Sequence, residues 1–154
     1  MKIVACDFNN EEHRHCFGIL LNEYIIDVMG GGRPLNNDEI KKCFDLLKAH
    51  ADCFILFAEM DDDFAGMIVC FFGVSTFSVA KLINIHDIIV KVDYRKNGIG
   101  TALLNEVIKR AKDLDCVKVT LEVRHDNHVA QSMYKKLGFN AGNTPMLFWQ
   151  KYIL

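Results

Sequence analysis

Between Ile85 and Leu103 the chain reads I-H-D-I-I-V-K-V-D-Y-R-K-N-G-I-G-T-A-L, and this stretch narrows the folds open to it. It begins as a β-rich apolar run, Ile85, Ile88, Ile89 and Val90, and passes through a polar turn. It then enters a segment whose apolar residues recur at helical spacing: Ile99, Leu103, Leu104, Val107 and Ile108. A strand therefore feeds a helix through a glycine-containing loop.

That loop, Arg95-Lys96-Asn97-Gly98-Ile99-Gly100, suits an anion such as a phosphate or pyrophosphate. The first turn of a helix has no internal acceptors for its N–H groups, the positive end of the helix dipole lies behind them, and two cationic side chains stand beside them. Gly98 and Gly100 let the anion approach the main chain without meeting a Cβ. The same residues also suit an ordinary crossover turn, and the loop alone does not separate the two. A Walker loop is excluded, because Gly100 is followed by Thr101 and Ala102, with no lysine placed to reach terminal phosphates. A dinucleotide fingerprint is a closer rival: a helix, a strand at 117–121 and an acid, Glu122, follow. Its third glycine, however, would fall at Leu103, and its first should lie nearer the strand end.

At 154 residues, 51% hydrophobic and 25% charged, the chain has the size and apolar content of one compact domain spanning 1–154. Its net charge of −2 offers no general attraction to nucleic acid or to an anionic membrane, so local cations must do any phosphate binding. The cysteines at 6, 16, 43, 53, 70 and 116 form no C-x-x-C pair and sit mostly in apolar runs. Reduced, buried thiols of a cytoplasmic protein are expected, without a disulfide frame or a metal site. His13-x-His15-Cys16 would diverge on a helix, so a solvated polar turn is expected there, as at His125 and His128. No signal peptide or bilayer-length apolar run is apparent.

In chain order, the pattern predicts a strand at 2–8, a helix at 12–28 and a second helix to about 49, capped by Asn37 or Asp38 and carrying Ile40, Phe44, Leu46 and Leu47 inward. Glycines at 30–32 separate the helices, either as a helix stop or as a mobile loop over a pocket. A hairpin follows at 53–59 and 64–73, then a strand at 81–91, the helix to about 114 and a strand at 117–123. A helix at 127–137 stops at Gly138, and 146–153 reads as a last strand around Trp149. This order implies a mixed sheet covered by helices.

Arg95, Gly98 and Gly100 resemble the R/Q-x-x-G-x-G/A loop of the GNAT superfamily of acyl-CoA N-acyltransferases at every specified position. A second segment, L-E-V-R-H-D-N-H-V-A-Q-S-M-Y-K-K-L-G-F at 121–139, is similar to that family's strand ending L-E-V, followed by an asparagine, a helix, a tyrosine and L-G-F. The resemblance is specific over 83–153 and rests on element order alone over 1–80. Lys96 departs from it, since many members carry glycine there, and so does Val92, where proline is frequent.

The resemblance implies a mixed, mostly antiparallel sheet of about six to seven strands, with splayed central strands and about four flanking helices. It implies acetyl-CoA as co-substrate, with pantetheine on Ile88, Ile89 and Val90 and pyrophosphate on Arg95, Lys96, Asn97, Gly98, Ile99, Gly100 and Thr101. Asn127 and Tyr134, two helical turns apart with Ala130 between them, would face the ligand. Tyr134 matches the family's general acid, although an aromatic on such a helix is more often a core residue. Asp87, Glu122 or a water held by one of them would serve as base. Asp87 is the more informative acid, because Ile85, Asp87 and Ile89 would share an otherwise apolar face, where a carboxylate needs a partner or a purpose. A structural acid fits that position as well. His86 must face the other way unless a bulge intervenes. The activity so implied is acetyl transfer to a primary amine of a small molecule, with a protein amine or a non-catalytic CoA-sensing module as alternatives. A homodimer is compatible with it.

Overall fold

The computed structural model describes residues 1–144 and 146–153. Within residues 1–122, the strands are β1 (Lys2–Ala5), β2 (Cys53–Met60), β3 (Asp63–Ser75), β4 (Ala80–Val90) and β5 (Lys118–Leu121). They form one sheet in chain order, antiparallel throughout except for the parallel β4–β5 pair. Helix α3 (Ile99–Asp113) supplies the crossover between the parallel strands, because a tight turn cannot join them. Helices α1 (Glu11–Ile26) and α2 (Asn37–Ala49) connect β1 to β2.

Local chemistry accounts for most of these boundaries. Asn10 caps α1 by accepting from Glu12 and His13 N–H, and Asn36 forms a capping box with Glu39 on α2. The α2 cap is therefore Asn36 rather than Asn37 or Asp38, because Glu39 is the residue spaced to answer it. Asp61 and Asp62 join β2 to β3 with φ of 53° and 60°, the left-handed pair that matches the twist of a two-residue hairpin.

The core divides by strand parity. Phe57, Met67, Val69 and Ile89 pack with Phe17, Leu20 and Phe44 of α1 and α2. The alternate strand residues, such as Leu56, Ile68, Cys70 and Ile83, are buried on the opposite face, where α3 brings Ile99, Leu103, Leu104 and Val107. Leu46 is exposed, contrary to the expected inward placement, because it lies two residues, some 200° of helix, from Phe44. His13 is half-buried rather than part of a solvated turn: its Nδ1 accepts the Asp7 N–H at 2.9 Å, and its ring packs on Phe57 and Phe64. Burial pushes the thiols of Cys6 and Cys53 up to about 12 and about 11.

Residues 123–154 form a second unit containing α4 (His128–Lys136). The expected strand at 146–153 does not form; these residues carry no regular structure, and Trp149 is 85% exposed. The sheet accordingly has five strands among the described residues, fewer than expected. An apolar, aromatic-rich run meets the local requirement of a strand, but a strand is completed only by main-chain bonds to another one. Among the described residues, no helix is long and apolar enough to cross a membrane.

Candidate active site

The β4–β5 ladder runs from Leu82↔Lys118 to Ile85↔Leu121 and stops, while β4 itself continues through Val90. Ile88, Ile89 and Val90 thus lie beyond the last β4–β5 pair, as a splayed strand requires. Both candidate carboxylates sit where this ladder ends. Asp87 is just past the last paired residue of β4, and Glu122, exposed, immediately follows β5.

A bulge changes where β4 aims its side chains. Asp87 is opposite Val69, yet Ile85 is opposite Cys70, so His86 is an extra residue in the β3–β4 ladder. Asp87 therefore joins Val69 and Ile89 on the α1/α2 face, while Ile85 turns to the α3 face. The single face expected for Ile85, Asp87 and Ile89 is not formed. His86 also reaches the Asp87 side, with its ring 5.6 Å from that of Phe71. Burial raises the Asp87 carboxyl above the ordinary range, partly offset by the nearby His86. A carboxyl shifted upward holds its proton nearer to neutral pH, which suits a base.

Beyond β4 comes a 3-10 turn (Val92–Tyr94) and then the glycine loop. Lys91 anchors its start with two bonds to Asp63, at 2.8 and 2.7 Å, and this ammonium is the main cause that holds the Asp63 carboxyl below its usual range. Lys96 and Gly98 have φ of 67° and 78°. Two left-handed residues so close together turn the chain sharply into α3, and only one of them is glycine. Gly98 caps α3 without a side chain, and the first backbone bond of the helix is Ala102 N–H to the Gly98 carbonyl. The N–H groups of Ile99, Gly100 and Thr101 thus precede the helical ladder. Together with exposed Lys96 and Asn97, they have the donor set and geometry of an anion cradle. Arg95 directs its side chain to two acceptors: Nε donates to the Val90 carbonyl at 3.1 Å and Nη2 to Asp27 at 2.8 Å. Asp27 belongs to no motif of the sequence. Its only local signal is a carboxylate standing just before a glycine run.

In the second unit, Asn127 precedes α4 as its N-cap, and its side-chain oxygen accepts the Ala130 N–H at 3.1 Å. The bond fixes the side chain of Asn127 at the very start of α4. Its side-chain oxygen is thereby engaged by the main chain of Ala130, the residue expected to leave room for a ligand. Tyr134 is buried, 7% exposed. Its carbonyl accepts the Phe139 N–H at 3.0 Å, Gly138 N–H bonds the Lys135 carbonyl at 3.0 Å, and Gly138 has φ of 88°. This is a Schellman ending, whose accompanying apolar contact is Phe139 on Tyr134, ring centroids 5.9 Å apart. The L-G-F run thus ends the helix and lays a ring against the tyrosine.

The sequence pattern of the acetyltransferase (GNAT) family matches residues 19–139. An N-alpha-acetyltransferase of Sulfurisphaera tokodaii is 37% identical over 100 residues, 60% of this chain and 59% of that protein. The aminoglycoside N(6')-acetyltransferase type 1 of Acinetobacter genomosp. 13 is 32% identical over 81 residues, 53% of each. The crystal structure of a probable acetyltransferase superposes with a TM-score of 0.80 at 22% identity, covering 100% of this chain and 97% of that one. The matched stretches span less than two thirds of these curated relatives.

Proposed function

The chain belongs to the acetyltransferase (GNAT) family, and on that premise we propose that it moves the acetyl group of acetyl-CoA directly onto a primary amine of a small molecule. The observation that carries this reading is that β4 runs on to Val90 past the end of its β5 ladder at Ile85↔Leu121 and is followed, after the 3-10 turn, by the anion cradle. Acetyl-CoA would supply the activated acyl group as a thioester.

The chain's own residues divide the work. The N–H groups of Ile99, Gly100 and Thr101, with Lys96, Asn97 and Arg95 beside them, would hold the diphosphate at the start of α3. Main-chain groups of Ile88, Ile89 and Val90 would pair with the pantetheine, and an N–H at Ile89 or Val90 would polarise the thioester carbonyl. Asp87 or Glu122, directly or through a water, would take the proton that the amine sheds as its nitrogen bonds to the acyl carbon and the carbon–sulfur bond breaks. Tyr134 is assigned the complementary proton, delivered to the departing thiolate. That role rests on its place in the family's motif, as do the parts assigned to Asn127 and Ala130.

A protein N-terminal amine is the second reading, favoured by the 37% identity to an N-alpha-acetyltransferase. One experiment tests both: native protein with acetyl-CoA and a panel of polyamines, aminoglycosides, amino acids and peptide N-termini, reading free CoA. Release with small amines supports the first reading, and release with peptides alone the second. Tight acetyl-CoA binding with no release above background from any amine would leave a CoA-sensing module.

A further inference from the structure

The contact between Arg95 and Asp27 joins residues 68 apart in sequence, the anion loop and the end of α1. Both partners are held in place by further bonds. The Asp27 carboxylate also accepts the Met29 N–H at 2.9 Å and is 18% exposed, while Arg95 Nε is fixed on the Val90 carbonyl. Most surface ion pairs lose their gain to the entropy of holding two long side chains, a cost reduced when each partner is already oriented.

Asp27 also organises the connection that follows it. Its own carbonyl accepts from Gly30 N–H at 2.9 Å and Gly31 N–H at 3.1 Å, and a Cβ at Gly30 would collide with the Tyr24 carbonyl. Farther along, the Asn22 side chain brackets Leu35 with two bonds, Nδ2 to its carbonyl and Oδ1 from its N–H. The glycine run is therefore a folded turn tied at both ends.

We propose that Asp27 is a positioning residue for acyl-CoA: it holds the Arg95 guanidinium at the end of β4, so that the remaining N–H groups of the fork meet the diphosphate already oriented. The inference rests on the acyl-CoA reading of the loop. A guanidinium has five donors, and Val90 and Asp27 engage two of them, on Nε and Nη2, so an anion can be bound through the others without breaking the pair. Orienting the fork in advance lowers the entropy lost when acyl-CoA binds. The same pair links occupancy of the loop to the α1–α2 connection.

The test is a double-mutant cycle with Asp27→Asn and Arg95→Gln, measuring acetyl-CoA affinity by calorimetry. Turnover with acetyl-CoA is compared with turnover of S-acetyl-pantetheine, which lacks the diphosphate. Each single variant should weaken acetyl-CoA binding about threefold to tenfold, and the double variant should bind no more weakly than Arg95→Gln alone. The preference for acetyl-CoA over S-acetyl-pantetheine, in kcat/KM, should fall by the same factor in Asp27→Asn. Native-like acetyl-CoA affinity in Asp27→Asn overturns the proposal, as do losses that add in full, or an equal drop with both thioesters, which marks general damage. Failure of the native protein to bind acetyl-CoA overturns instead the reading on which the proposal stands.

Discussion

Asp87 stands opposite Val69 across the β3–β4 ladder, on the face packed by α1 and α2, and the extra residue His86 turns Ile85 to the other face. Burial makes this carboxyl hold its proton more tightly in the folded chain than in the unfolded one. Between the ordinary carboxylate range and the raised value, the folded state therefore binds more protons. Stability is full below that window and falls as pH rises through it. Asp87→Asn removes the titration, so the variant should melt above the native protein at neutral pH, with the gap closing as pH falls towards about 3.9. A variant that melts lower at neutral pH would instead mean that the carboxylate is held by a structural partner.

The two carboxylates can be separated by activity. An alkyl ammonium has a pKa of about 10.4 and must lose a proton before it attacks. Of Asp87→Asn and Glu122→Gln, assayed on whichever amine gives turnover, one should lose activity most severely at low pH. Equal, pH-independent effects of both would assign the proton transfer to another group.

For Tyr134 the informative change is to Phe, which removes the hydroxyl and keeps the ring packed on Phe139. Acetyl-CoA binding should survive, while turnover falls roughly a hundredfold, the lower end expected for a lost general acid. Unchanged turnover would show that the thiolate takes its proton elsewhere.

Gly138→Ala probes the support of that tyrosine. At φ of 88° a side chain is strained, so the variant should lose about 1 kcal/mol or more in urea unfolding. A neutral result would mean that the Schellman ending contributes little to stability.

Lys96 sets two effects against each other. Its φ of 67° costs an L-residue about 1–2 kcal/mol, partly offset by the greater unfolded-chain entropy of glycine, so Lys96→Gly should gain up to about 1 kcal/mol of stability. The same change removes a cation beside the anion cradle and should weaken acetyl-CoA binding at low salt more than at high salt. Thermal melts and calorimetry on one variant read both, and unchanged affinity at every salt concentration would remove Lys96 from the site.

Features set by near neighbours along the chain could be read from residue order alone. Helical and strand periodicities located α1 to α4 and β1 to β5 to within a few residues, because side-chain direction follows from the local backbone. The glycine loop and the L-G-F ending were legible for the same reason: each satisfies its backbone groups within one turn of chain. Tertiary structure decided whatever depends on a second segment. The bulge at His86 is a relation between β4 and β3, and no pattern within β4 announces it. The pairing of Arg95 with Asp27 spans 68 positions, and neither residue signals the other. Residues 146–153, M-L-F-W-Q-K-Y-I, are apolar and aromatic enough for a strand yet form none, since main-chain bonds in a sheet are always made to another strand.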